Sequence, residues 1–151
     1  MKTLVLGLGN SVLRDDSVGL RVARAVGEIV IDPDVTAEET PASGLALLDS
    51  MAGYDRVIIV DAIRTREGRP GEVYRLGLAD IDTVKHTANP HDATLTDALD
   101  LGRKLGMSVP REIVIIAIEI TDNCESFGEE CSDVVEKAIP LAAQKVIAEL
   151  S

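Results

Sequence analysis

Two kinds of hydrophobic spacing alternate along nearly the whole chain. Leu4-Val5-Leu6 is a short aliphatic run that stops at a turn-rich loop, Gly7-Leu8-Gly9-Asn10. From Ser17 the spacing becomes helical, with Val18, Arg21-Val22, Ala25-Val26 and Ile29 on one stripe. Asp15, Asp16 and Ser17 offer N-cap chemistry for that helix. Asp32-Pro33-Asp34 ends it, because proline cannot continue the hydrogen-bond ladder. Val35 to Glu39 reads as a weak strand and Gly44 to Met51 as a short helix. Arg56-Val57-Ile58-Ile59-Val60-Asp61 is a continuous β-branched run, the mark of a strand buried on both faces, and it closes on a carboxylate. The connection that follows is shorter than the roughly dozen residues a parallel crossover needs. Gly71 to Leu76 is therefore expected as an antiparallel neighbour of the strand before it. The polar stretch from Gly77 to Pro90 is long for a compact domain and reads as a functional loop. A helix from Asp92 to Leu105, with Leu95, Leu99 and Leu101 inward, leads to a second β-branched strand, Glu112 to Ile120. A polar loop, Thr121 to Cys131, precedes a terminal helix, Ser132 to Leu150, which Pro140 should kink or divide.

This order predicts an α/β fold: one three-layer domain over residues 1–151, with a mostly parallel twisted sheet of about five strands, one of them antiparallel, and helices on both faces. In such sheets, sites form beyond the carboxyl ends of the strands, where the strand order reverses. Attention falls on the loop after Leu6, on Asp61, and on the loops facing them.

Composition narrows the function. The 151 residues carry 26 acidic and 15 basic side chains, a net charge of −11, so the clustered cations of a phosphate-backbone binder are lacking. Two Tyr, one Phe and no Trp give no stacking platform for single-stranded nucleic acid and force an aliphatic core. No stretch reaches the roughly 20 apolar residues of a membrane helix, and the opening apolar run is too short for a signal peptide. A cytoplasmic protein that neither inserts into membranes nor binds nucleic acid is expected, with the monomer favoured. Cys124 and Cys131 match neither a CxxC pair nor a zinc-finger half. Reduced thiols are expected, and a disulfide across that loop is left open.

The glycine loop invites a dinucleotide reading, but the third glycine of that fingerprint would stand at position 12, where Val12 lies. Asp15 and Asp16 stand where a phosphate would need donors. The glycines rather let the backbone turn sharply and approach something closely. Asp16, Asp61 and His91 are the more informative set, each near an element end on the same expected rim. Singly, Asp16 could be a helix cap, Asp61 a backbone-bonded carboxylate and His91 a loop residue. Together, two carboxylates and an imidazole make an oxygen–nitrogen ligand set suited to zinc or nickel, with positions left for water or substrate.

Leu4-Val5-Leu6-Gly7-Leu8-Gly9-Asn10, then Asp15-Asp16 and Gly19, Gly44 before a Leu-rich helix, Val60-Asp61-Ala62, Pro90-His91 and Phe127-Gly128 are the residues by which the chain resembles the nickel–iron hydrogenase maturation endopeptidases. The resemblance spans essentially the whole length. It implies nickel bound through Asp16, Asp61 and His91, and removal of a C-terminal extension from the precursor of the hydrogenase large subunit after nickel insertion. The nickel would be the substrate's own, a recognition handle, with zinc or cadmium able to stand in for it in vitro. Gly9, Asn10, Gly44 and His86 are expected to meet the substrate. The family often has Gly after the acidic pair or Glu at the ligand position, where this chain has Asp16-Ser17. It frequently has Gly-Thr before Gly44, where this chain has Pro41-Ala42-Ser43.

The mechanism has two forms at this level. The metal could polarise the scissile carbonyl or activate water, or Asp16 or Asp61 could serve as general base while nickel only positions the peptide. A Ser–His–Asp set would consume a histidine wanted for metal. Two rival readings differ in class. A non-cleaving, nickel-dependent chaperone or adaptor would use the same ligands. Peptidyl-tRNA hydrolases share the strand and Gly-Leu-Gly-Asn opening, but their catalytic His is expected where this chain has Asp15-Asp16, and a charge of −11 repels tRNA.

Overall fold

A computed structural model describes residues 1–41, 45–65, 67–83, 91–121, 127–128 and 130–151. The strands are β1 (Thr3–Leu8), β2 (Val35–Thr40), β3 (Arg56–Ile63), β4 (Val73–Gly77) and β5 (Glu112–Glu119). The helices are α1 (Val18–Ile29), α2 (Leu45–Met51), α3 (His91–Lys104) and α4 (Asp133–Leu150). The strands form one sheet in the order β2-β1-β3-β5-β4. β2, β1, β3 and β5 run parallel, with Gly7 level with Val60 and Asp61 level with Ala117. β4 is antiparallel to β5.

Alternation along the strands divides the core in two. Val5, Ile58, Val60 and Ile116 pack with Val22 and Val26 of α1 and Val135 and Ala142 of α4. Leu4, Leu6, Ile59 and Ile115 pack on the other face with Leu47 and Met51 of α2 and Leu95 and Leu99 of α3. The expected α/β sheet with helices on both faces is therefore present, and among the described residues its core is mostly aliphatic.

Several local expectations change. β4 is antiparallel as read, but it pairs with β5 rather than β3. β5 is buried from Val114 to Glu119 and needs cover on both faces, whereas β4 is only half-buried and suits the edge. β3 runs two residues past Asp61, to Ile63. Ile29 and Leu101 lie outside the core, each at the margin of its helix's apolar stripe. The stretch after β4 opens with a 3-10 helix, Leu78–Thr83, whose Leu78 packs against the core. α4 continues through Pro140, which is exposed. The Glu136 carbonyl that loses its partner there belongs to an equally exposed residue that water can serve.

Candidate functional site

The chain leaves β1 for β2 on one side, while β3 lies on the other, so the strand order reverses between β1 and β3. A crevice is expected outside the carboxyl ends of these two strands. Leu8 and Asp61 crown them, each one residue beyond the level pair Gly7 and Val60. Arg14–Ser17 forms a 3-10 helix that runs directly into α1 and crosses this crest. Two glycines permit the approach. Gly9, at φ +150°, lies against the backbone carbonyl of Asp16, and any Cβ there would strike that oxygen. Gly19 lies against the carbonyls of Leu8 and Val60 in the same way. The sharp turn and close approach read into the glycine loop are thus made to the chain's own backbone.

This packing brings Asp16 and Asp61 to one rim, both buried. Asp61 lies between Val60 and Ala62, so its side chain projects to the opposite face, with Ile59 and Ile63, where α2 and α3 pack. Its neighbour across the strands is Ala117, whose small side chain leaves space. The Asp61 Oδ1 accepts from the Ala62 N–H at 2.8 Å. α3 begins at His91 and reaches the start of β5 through the short connection 105–111, so its N-terminal end lies toward the same rim. The His91 side chain, His86, Gly44 and Cys124 lie outside the described residues. Among the described residues, no three His, Cys, Asp or Glu side chains converge as a metal site. Asn10 shapes the loop: its Oδ1 accepts from the Val12 N–H at 3.1 Å and its carbonyl from the Leu13 N–H at 3.2 Å.

Asp15 has a different task from the helix cap expected of it. Its fully buried carboxylate accepts from the Ser132 N–H at 2.6 Å, the Thr121 hydroxyl at 2.5 Å, the Ser132 hydroxyl at 3.0 Å and the Thr121 N–H at 3.1 Å. Burial acts to raise its pKa, but the four hydrogen bonds outweigh that effect and hold it below the ordinary carboxylate value. Asp15 also brings negative charge to the N-terminus of α4, where Ser132 is the capping residue. Ser17, the capping position of α1, makes no side-chain cap; its hydroxyl donates to the Arg14 carbonyl at 2.6 Å. The 3-10 helix carrying Asp16 is thereby tied to the end of β5 and the start of α4.

Glu119 is equally built in. It is only 1% exposed. It accepts from the Thr65 N–H and hydroxyl, both at 2.7 Å, and from the Tyr74 hydroxyl at 3.1 Å. Burial, then Glu119's hydrogen bond and charge, push the Tyr74 phenol far above its ordinary pKa. The partners of Asp15 and Glu119 come from distant parts of the sequence, so no local motif announces them. The Cys131 thiol is free and buried against the Ser17 hydroxyl and the Arg14 carbonyl, and burial pushes its pKa up.

Comparison with known proteins agrees with this architecture. The family model described as HycI, hydrogenase maturation protease, matches residues 21–149. The hydrogenase 2 maturation protease of Escherichia coli strain K12 is 31% identical over 152 residues, covering 99% of this chain and 91% of the relative. The solved structure of the hydrogenase maturating endopeptidase HybD from Escherichia coli superposes with a TM-score of 0.81 at 29% identity, covering 99% of this chain and 92% of its own. The nickel–iron hydrogenase maturation protease HybD of Thermococcus kodakarensis gives 0.74 at 26% identity, covering 99% of each chain.

Proposed function

Because the chain belongs to the hydrogenase maturation protease family, we propose that it removes the C-terminal extension of a nickel–iron hydrogenase large-subunit precursor once nickel is in place, and reads that nickel through Asp16, Asp61 and His91. The family is one of endopeptidases, hence of hydrolases. The observation that carries the finer reading is the glycine-mediated packing at the head of β1 and β3. It sets two buried carboxylates from distant parts of the chain on one rim, toward which α3 presents its His91 end. Carboxylate oxygen and imidazole nitrogen together suit nickel.

In this account the nickel is part of the substrate. Asp16, Asp61 and His91 complete its coordination, which fixes the adjoining peptide against the rim. In the same account Asp16 or Asp61 takes a proton from the water that attacks the scissile carbonyl. Gly9 and Asn10 border the site, and His86 and Gly44 belong to the same proposed substrate contacts. No described helix is long and apolar enough to cross a membrane. We place the reaction in the cytoplasm, where a thiol such as Cys131 stays reduced.

The test is incubation of the protein with nickel-loaded precursor, followed by mass spectrometry. Loss of a C-terminal peptide is the expected result. A stable complex with intact precursor would replace the protease by an adaptor.

A further inference from the structure

The chain has a single Phe, and the core does not use it: Phe127 is 81% exposed. The backbone of the residue that follows it is nonetheless held. The Gly128 N–H donates to the Val12 carbonyl at 2.8 Å, and the Arg14 N–H donates to the Gly128 carbonyl at 3.1 Å. These bonds form an isolated parallel bridge between Leu13 and Gly128. They bring the backbone of Phe127 level with that of Val12, which is 49% exposed, within the segment that joins Asn10 to Asp16. The Arg14 side chain lies over the bridge, its Nε 3.0 Å from where a Cβ on Gly128 would stand. Val12 also lines a pocket of about 310 Å³ that includes Leu20, Arg21 and Arg24 in its wall.

An apolar pair with an aromatic member, bordered by three arginines, is unusual on a chain of net charge −11. Aromatic residues and Arg are enriched at protein interfaces, and Lys, Glu and Asp are depleted there. Arg21 and Arg24 pair with Glu136 and Glu39 at 3.3 and 2.7 Å, but these pairs are at the surface, where such bridges are weak and exchange readily. A partner carboxylate can therefore compete for either guanidinium.

We propose that Phe127 and Val12, with Arg14, Arg21 and Arg24 around them, are the docking surface for the large-subunit precursor, whose matching surface is an apolar depression bordered by carboxylates. This rests on the functional reading above and adds to it where the folded body of the substrate sits. The acidic remainder of the molecule repels such a surface and steers it to this corner. A partner held on Phe127 is already against the loop that leads to Asp16. Binding of the precursor is thus separated from its cleavage: Phe127 and Arg14 act on affinity, and the rim acts on the bond.

The experiment measures cleavage of nickel-loaded precursor across a range of precursor concentrations. Phe127→Ala should raise KM by about tenfold or more, with kcat and thermal stability unchanged, and Phe127→Leu should recover part of the loss. Arg14→Glu should also raise KM, by a factor that shrinks when salt is raised to about 0.5 M. Wild-type KM in either Phe127→Ala or Arg14→Glu, beside a wild-type protein that cleaves normally, overturns the docking surface and leaves the protease reading intact. A fall in kcat at unchanged KM overturns it as well. A wild-type protein that leaves the precursor whole overturns the functional reading, and the docking surface with it.

Discussion

Around Asp15 and Glu119 the rim is assembled by hydrogen bonds, four donors on one carboxylate and three on the other, drawn from elements far apart in the chain. Around Asp16 and Asp61 it is assembled by backbone pressed on backbone, with Gly9 and Gly19 as the points of contact. The first region commits its carboxylates to joining elements: Asp15 ties the start of α4 to the end of β5, and Glu119 closes the connection between β3 and β4. In the second region glycines make the close contacts, and the buried carboxylates of Asp16 and Asp61 lie by the heads of the two strands. Adjacent residues of the same type, Asp15 and Asp16, thus differ in kind: Asp15 is held by four hydrogen bonds, while Asp16 is the one to which the proposal gives the chemistry.

The division can be broken from either side. The largest effect is expected at the crevice: Asp16→Ala, Asp61→Ala and His91→Ala should each lower precursor cleavage by at least about a hundredfold, the scale on which metal sites respond to lost support. Circular dichroism should show the fold retained. If the His91 variant cleaves at the wild-type rate, the ligand set is wrong.

Asp15→Ala should do the reverse in kind. It strands the buried donors of Thr121 and Ser132, at a cost of about 3 kcal/mol in stability. For a chain of this size that is a fall of about 6–12 °C in Tm, readable by calorimetry. An unchanged Tm would mean that Asp15 is not the joint it resembles.

Gly19→Ala probes the packing that brings the two regions together. A methyl group there must displace the carbonyls of Leu8 and Val60, at a cost of about 2 kcal/mol in chemical denaturation. Cleavage should fall beyond what the loss of folded protein explains, because Asp16 and Asp61 are moved apart.

The smallest effect lies away from the rim, at Glu149, which joins Arg75 and Arg56. The hydrogen bond from Arg75, with those from Arg56 and the charges of both arginines, holds its pKa below the ordinary value despite partial desolvation. A carboxylate with a depressed folded-state pKa stabilises above its unfolded value and loses that contribution as pH falls through the folded one. Glu149→Gln should therefore lower stability by no more than about 1 kcal/mol at neutral pH. The difference from wild type should shrink as pH falls out of the ordinary glutamate range and vanish once it passes below the depressed folded-state value, which denaturant titrations at several pH values would show.

What could be read from the chain alone follows the same division. The β-branched runs of β3 and β5 and the helical stripes of α1 and α3 show in the spacing of apolar residues, because burial imposes that spacing locally. The order β3-β5-β4 does not, since the place of β5 depends on which strand needs cover on both faces. Asp16 and Asp61 stood out as carboxylates at the ends of elements, a local signal. The partners of Asp15 and the burial of Glu119 depend on Thr121, Ser132, Thr65 and Tyr74, which only the folded chain brings near. The polar loop from Thr121 to Cys131 already puts Phe127 outside the core, but the bonds that tie Gly128 to Val12 and Arg14 depend on the folded chain.

The central claim is that Asp16, Asp61 and His91 grip one nickel ion, and nickel K-edge X-ray absorption of the protein with added nickel tests it most directly. One imidazole nitrogen among oxygen ligands is predicted, with the imidazole signal lost in His91→Ala. A spectrum that keeps its imidazole in that variant, or that shows sulfur coordination, would contradict it.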